Sequence, residues 1–159
     1  MHRLSVTNIK AVKLMMISTR GRYALRMMVD LAEHGRESPA ALKDIAARQD
    51  ISKKYLEQII PVLNRSGLLV TTRGYQGGYR LSRAPMDITV WEILNAAEGS
   101  MVPVACLESD TNTCPRCAEC ATLPVWEGLK NVVSEYLSGV TLQDILDEKA
   151  DKAGYNFVI

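Results

Sequence analysis

The chain has 159 residues, 47% hydrophobic and 23% charged, enough for one or two small domains with a real core. No apolar run reaches the roughly 18–20 residues of a membrane span, so no membrane partner is expected. The net charge of +1 hides a split: Ser52 to Arg83 holds six basic residues against Glu57 alone, while Met101 to Asp151 holds nine acids against Arg116, Lys130 and Lys149. A basic segment on an otherwise acidic chain fits a nucleic-acid-binding face.

Residues 1–15 carry Arg3, Lys10 and Lys13 without an apolar stretch or cleavage site after them, so they do not read as a signal peptide. They are expected to be a disordered extension, with translation starting naturally near Met15-Met16. A chain that is not exported stays in the reducing cytoplasm, where clustered cysteines favour metal or redox chemistry over disulfides.

Residues 16–99 read as a winged helix-turn-helix domain. Between Ser18 and His34, apolar Tyr23, Ala24, Met27, Met28, Leu31 and Ala32 recur at helical spacing. Ser38-Pro39 reads as a helix start, opening a short helix over 40–49 that buries Leu42, Ile45 and Ala46. Asp50-Ile51 turns the chain, and Ser52 caps the next helix, with Ile51 and Leu56 placed for a hydrophobic staple. Two short helices around a tight turn form a helix-turn-helix pattern, which two ordinary core helices also satisfy. Pro61 lacks the amide that would reach the Glu57 carbonyl, so a kink or early end is expected there.

The next segment discriminates. Strands are predicted over 68–72 and 79–81, joined by the glycine-rich tip Arg73-Gly74-Tyr75-Gln76-Gly77-Gly78. A basic hairpin directly after a helix-turn-helix makes a wing. A plain surface hairpin would explain neither Arg73 nor its position. Arg73 is suited to a minor groove or a phosphate. A further helix is predicted over 88–98, with Val90, Trp91, Leu94 and Ala97 on one face.

Residues 100–121 form a polar, irregular loop holding every cysteine of the chain, as Cys106-x7-Cys114-x2-Cys117-x2-Cys120. Residues 122–150 hold a long helix over 123–138 and a last helix capped by Thr141. Trp126, Leu129, Val133, Tyr136 and Val140 alternate at three and four, the seam of a helix pair, or else an ordinary core face. The seam reading implies a homodimer, which suits paired half-sites on double-stranded DNA. The tail, 151–159, is expected to fray from Ala150 on.

Thr19-Arg20-Gly21-Arg22-Tyr23-Ala24, Ile51-Ser52-Lys53-Lys54-Tyr55-Leu56-Glu57-Gln58, Gly67-Leu68, Arg73-Gly74-x-x-Gly77-Gly78-Tyr79 and Thr141-Leu142 resemble the IscR/NsrR/CymR family of bacterial winged-helix repressors. The resemblance spans about Met16 to Ala150. It implies a mainly α fold with a small β-hairpin, and a homodimer in which a long helix crosses between subunits. The role implied is a repressor of iron–sulfur assembly, cysteine-metabolism or stress genes.

By position it places Ser52, Lys54, Tyr55 and Gln58 toward the major groove and Arg73, flanked by Gly74 and Tyr75, toward the minor groove. The chemistry agrees: Gln58 suits adenine, Tyr55 a phosphate, and Lys54 a phosphate or guanine. Glu57, an acid facing DNA, is the candidate for operator selectivity.

The resemblance also implies a metal site on Cys106, Cys114, Cys117 and Cys120. Cys106-x7-Cys114-x5-Cys120 is similar to the NsrR-type spacing. Leu123 stands where IscR-like members carry a ligating histidine, so Cys117 or an acid from a second subunit must complete the set. Close thiol spacing suits an iron–sulfur cluster, 2Fe-2S or 4Fe-4S. Zinc ranks behind it, because zinc sites favour two separated knuckles, and thiol redox sensing ranks third. His2 and His34 lie far away in sequence.

No phosphate loop, His-bearing metal site or nucleophile–base pair points to an enzyme. A ferredoxin-like carrier would leave the wing idle. The closer rival is a metal-independent or zinc-clipped repressor of cysteine metabolism, governed by a protein partner such as a cysteine-synthesis or iron–sulfur assembly protein.

Overall fold

The computed structural model describes residues 17–155. The expected extension, its translation start and the last four residues of the tail lie outside them. The order is α1 (Thr19–His34), α2 (Leu42–Gln49), α3 (Lys53–Arg65), β1 (Leu69–Thr72), β2 (Gly78–Leu81), α4 (Val90–Glu98), α5 (Leu123–Ser138) and α6 (Leu142–Tyr155). Short 3₁₀ turns occupy Pro85–Asp87, Ala105–Leu107 and Cys117–Glu119. The fold is a mostly helical winged helix-turn-helix with one two-stranded antiparallel sheet.

One core organises the winged domain. Met27, Met28 and Leu31 of α1, Ile45 of α2, Leu56, Ile59 and Leu63 of α3, and Ile93 of α4 are all buried in it. Ile51 and Leu56 both lie in this core, as a hydrophobic staple around the Ser52 cap requires. Leu142, at the start of α6, joins the same core. A smaller cluster of Val90, Leu94 and Met101 receives Leu137 and Val140 from the far end of α5.

Four expectations are corrected. Ser38-Pro39 does not start a helix: α2 begins at Leu42, and its N-cap, Ala41, has no side-chain capping bond. Ala40 instead makes an antiparallel bridge with Tyr79, each amide donating to the other's carbonyl at 2.9 Å, so sheet pairing takes the backbone a helix would need. Pro61 does not end α3, which continues to Arg65. Pro61 is exposed, and buried Leu63 holds the last turn in the core, which outweighs one missing amide bond.

The helix predicted from Ile88 starts at Val90, because Thr89 forms a capping box with Glu92. Finally, α6 continues past Ala150 to Tyr155. Lys149, Ala150, Lys152 and Ala153 favour helix there, and Lys152 pairs with Glu148 at 2.7 Å, one turn apart.

The predicted seam on α5 is also redistributed. No residue of α5 is buried. Val125, Leu129, Val132 and Tyr136 form an exposed apolar stripe spaced four, three and four, with Val132 64% and Tyr136 69% exposed. Trp126 and Val133 are half-buried, and Val140 packs into the small cluster. The stripe is therefore rotated from the predicted face, because the domain itself takes up part of that face.

Candidate nucleic-acid interface and cysteine loop

The turn between α2 and α3 is tight because Asp50 takes a left-handed conformation (φ 51°) and its amide bonds back to α2. Ser52 then caps α3, its hydroxyl accepting from the Tyr55 amide at 3.2 Å. With Leu56, Ile59, Ile60 and Leu63 buried, helical geometry leaves Ser52, Lys54, Glu57, Gln58 and Arg65 exposed. Lys53 sits 3.8 Å from Glu57 and partly offsets its charge.

Tyr55 differs from the other predicted contacts. It is half-buried, with its ring edge-on to Tyr23 at 5.3 Å between centroids. The Arg26 guanidinium covers the other ring of that pair, 5.4 Å from the Tyr23 centroid, and also bonds to Gln49 at the end of α2. Tyr55 is therefore part of the packing between α1 and α3.

Sequence patterns did not single out the group that fixes α2 against α1. Asp30 is wholly buried on α1, and Arg48 grips its carboxylate with two bonds of 2.9 and 2.6 Å. Gln49 adds a third at 3.0 Å. Burial by itself would raise the Asp30 pKa, but the hydrogen bonds and the Arg48 charge outweigh it and hold the carboxyl below its usual range. An acid between Met28 and Leu31, on an otherwise apolar face, was the available signal.

The wing pairs Leu69 with Leu81, Val70 with Arg80, Thr71 with Tyr79 and Thr72 with Gly78. The Gly77 amide bonds to the Gly74 carbonyl at 3.0 Å and closes the tip, with Gly74 at φ 110°. Arg73 and Gly74 are exposed, and Tyr75 is fully so. Gly78 is required by close approach: a Cβ there would overlap the Ala40 carbonyl of the bridging segment. Asn64 at the end of α3 bonds to Thr71 on β1 at 3.2 Å, which couples α3 to the wing.

The cysteine loop runs into α5 through successive tight turns. The amide of Cys117 bonds to the carbonyl of Cys114 at 3.0 Å, that of Cys120 to Cys117 at 3.4 Å, and that of Leu123 to Cys120 at 3.2 Å. These bonds tie the backbone of Cys114, Cys117 and Cys120 into one short run that ends at the first residue of α5. Cys106 lies on the earlier 3₁₀ turn, beside buried Leu107, whose carbonyl accepts from Lys130 Nζ of α5 at 3.2 Å.

All four thiols are free and half-buried. The Thr122 hydroxyl, 3.5 Å from Cys120 Sγ, holds that thiol below its usual pKa, with help from the amides of Thr122 and Leu123 and from the Arg116 charge. Among the described residues, no three His, Cys, Asp or Glu side chains converge as a metal-holding group. In kind the donor set nevertheless fits a thiophilic metal or cluster, with four free thiols within fifteen positions. Leu123, at the start of α5, offers no ligand. Among the described residues, no helix is long and apolar enough to cross a membrane.

Comparison with known proteins agrees with this geometry. Residues 17–148 match the Rrf2 profile, whose description is "Iron-dependent Transcriptional regulator". Protein rrf2 of Nitratidesulfovibrio vulgaris is 41% identical over 132 residues, covering 83% of this chain and 87% of that one. The structure of CymR, "the Global Cysteine Regulator of B. subtilis", superposes with a TM-score of 0.68 at 37% identity, covering 84% of this chain and 97% of that one. T. potens IscR superposes with a TM-score of 0.67 at 42% identity, covering 84% and 88%. These relatives are regulators rather than enzymes, and the chain belongs to the Rrf2 family of transcriptional regulators.

Proposed function

We propose that this regulator is a cytoplasmic, homodimeric repressor whose operator binding is modulated by an iron–sulfur cluster on Cys106, Cys114, Cys117 and Cys120. The observation that carries the reading is the loop of four free, half-buried thiols leading directly into α5. Bound there, a cluster would supply a redox- and oxygen-sensitive crosslink among the thiolates. The loop then has one ordered and one loose arrangement.

The chain's own residues do the rest. On α3, Gln58 reads adenine, Lys54 takes phosphate or guanine, and Ser52 and Tyr55 hold the backbone. Glu57 favours operators that present a cytosine amine and repels the others. Arg73 enters the minor groove, with Gly74 and Tyr75 alongside. The exposed stripe Val125, Leu129, Val132 and Tyr136 is covered by the same stripe of a second copy, which sets the spacing of two half-sites. Ordering the loop from Ser100 to Ala121 fixes the start of α5, and so the relative orientation of the two winged domains.

Iron–sulfur assembly or stress genes are the proposed targets. Likeness to the B. subtilis cysteine regulator supports one second reading: a metal-independent or zinc-clipped repressor of cysteine metabolism that answers to a protein partner.

The discriminating experiment is the absorbance spectrum of anaerobically purified protein, with iron, acid-labile sulfide and zinc assayed on the same sample. Brown protein with matching iron and sulfide supports the cluster. Stoichiometric zinc, or no metal even after reconstitution, supports the second reading.

A further inference from the structure

Lys54, Gln58, Pro61 and Arg65 stand four, three and four residues apart on α3, so they form one stripe along the helix. All four are exposed, while Leu56, Ile59, Ile60 and Leu63 hold the opposite side in the core. Lys54 and Gln58 are the residues proposed for the major groove. Arg65, the last residue of α3, lies on the same face eleven residues beyond Lys54. Helical rise sets the two roughly 16 Å apart along the axis. The major groove of B-DNA is about 12 Å wide. A helix that reads base edges with its first turns therefore has its last turn at the groove wall, beside phosphates rather than bases.

The Arg65 guanidinium is also unpartnered. Arg26, Arg36, Arg48 and Arg83 each bond to another group of the chain. Arg65, like Arg73 on the wing, has no hydrogen-bond or ion-pair partner among the described residues. Next to it, Asn64 bonds to Thr71 on β1 at 3.2 Å, two residues before Arg73. The end of α3 and the strand leading to the wing tip thus make one corner. In B-DNA a single sugar–phosphate strand separates a major groove from the minor groove beside it. A corner with α3 in one groove and Arg73 in the other straddles that strand.

We infer that Arg65 clamps this strand, its guanidinium pairing with a phosphate between the two grooves. Such a contact fixes the register and orientation of α3 without selecting a base. The inference rests on the reading that α3 enters the major groove and Arg73 the minor groove. It adds to that reading a residue that carries affinity and salt dependence but no sequence preference.

The test uses full-length protein and a duplex that the native protein selects from a random-sequence pool. The same duplex is also made with single base changes and with single uncharged methylphosphonate linkages. Arg65→Gln is expected to weaken binding about tenfold on matched and base-changed duplexes alike. It should reduce the slope of log affinity against log salt by about one, whereas Arg65→Lys keeps that slope. Arg65 is exposed at a helix end, so neither variant touches the core. One methylphosphonate between the two grooves should weaken native binding and weaken Arg65→Gln no further. An unchanged slope in Arg65→Gln, an altered preference at one base, or further loss in Arg65→Gln from every methylphosphonate would overturn the inference and leave the groove reading standing. Native affinity in both Gln58→Ala and Arg73→Ala would overturn the groove reading, and the inference with it.

Discussion

Thr89 and Thr141 are antiparallel bridge partners, and each is also the cap of a helix. The Val90 amide bonds to the Val140 carbonyl at 2.8 Å, and the Leu142 amide to the Ile88 carbonyl at 3.0 Å, so α4 and α6 start from a shared pair of bonds. The chain leaving α5 is thereby clamped to the winged core where the cysteine loop's own helix ends.

Removing a cap should loosen that clamp. Thr89→Ala leaves the Glu92 amide without its 3.2 Å bond and is predicted to cost about 1 kcal/mol. Thr141→Ala, which frees the Asp144 amide, lowers Tm in the same direction. Urea denaturation of both variants, followed by circular dichroism, checks this.

The buried Asp30–Arg48 pair gives a pH signature. The Asp30 pKa is depressed on folding, so its stabilisation is complete above the unfolded value of about 3.9 and is lost as pH falls through the lower folded value. Asp30→Asn should therefore be less stable than the native chain at pH 7, by about 3 kcal/mol, with the gap narrowing toward pH 3. Denaturant midpoints at both pH values measure it, and a constant gap would show that the carboxylate charge is not what the fold uses.

On DNA, the two kinds of contact should separate. Gln58→Ala is predicted to cost about 1–3 kcal/mol and to relax preference at one base position. Arg73→Ala should weaken binding to all operators and reduce the salt slope by about one. Affinities at several salt concentrations on matched and single-base-changed operators distinguish the two.

The exposed stripe of α5 predicts the oligomeric state. Val132→Glu places a charge at a position 64% exposed in the single chain, so the monomer fold tolerates it. It should convert a dimer to a monomer in analytical ultracentrifugation and reduce operator affinity. A dimer that survives the change would mean that another face makes the contact.

Much of this was legible in the residues. The Ser52 cap, the Ile51–Leu56 staple and the glycine tip are local, so their chemistry determined them directly. The bounds of α5 were also recovered, with Leu123-Pro124 at its start and Gly139 after its end. The failures lie where distant contacts decide. Ser38-Pro39 carries a sound helix-start signal, yet Ala40 pairs with Tyr79, far along the chain. On α5 the predicted series divides, with Leu129 and Tyr136 exposed and Trp126 and Val133 half-buried, because which apolar residues the rest of the chain covers is a tertiary matter. Asp30 is not legible in this way, because an acid on the apolar face of a helix has no local pattern that names its partner.

The most direct test of cluster-modulated repression is operator affinity, measured anaerobically on one DNA fragment, of iron- and sulfide-loaded protein against the variant with all four cysteines changed to alanine. The account predicts affinities that differ at least about tenfold, or 1.4 kcal/mol, on one operator class. Equal affinities on every operator would contradict it and leave the loop without a sensing role.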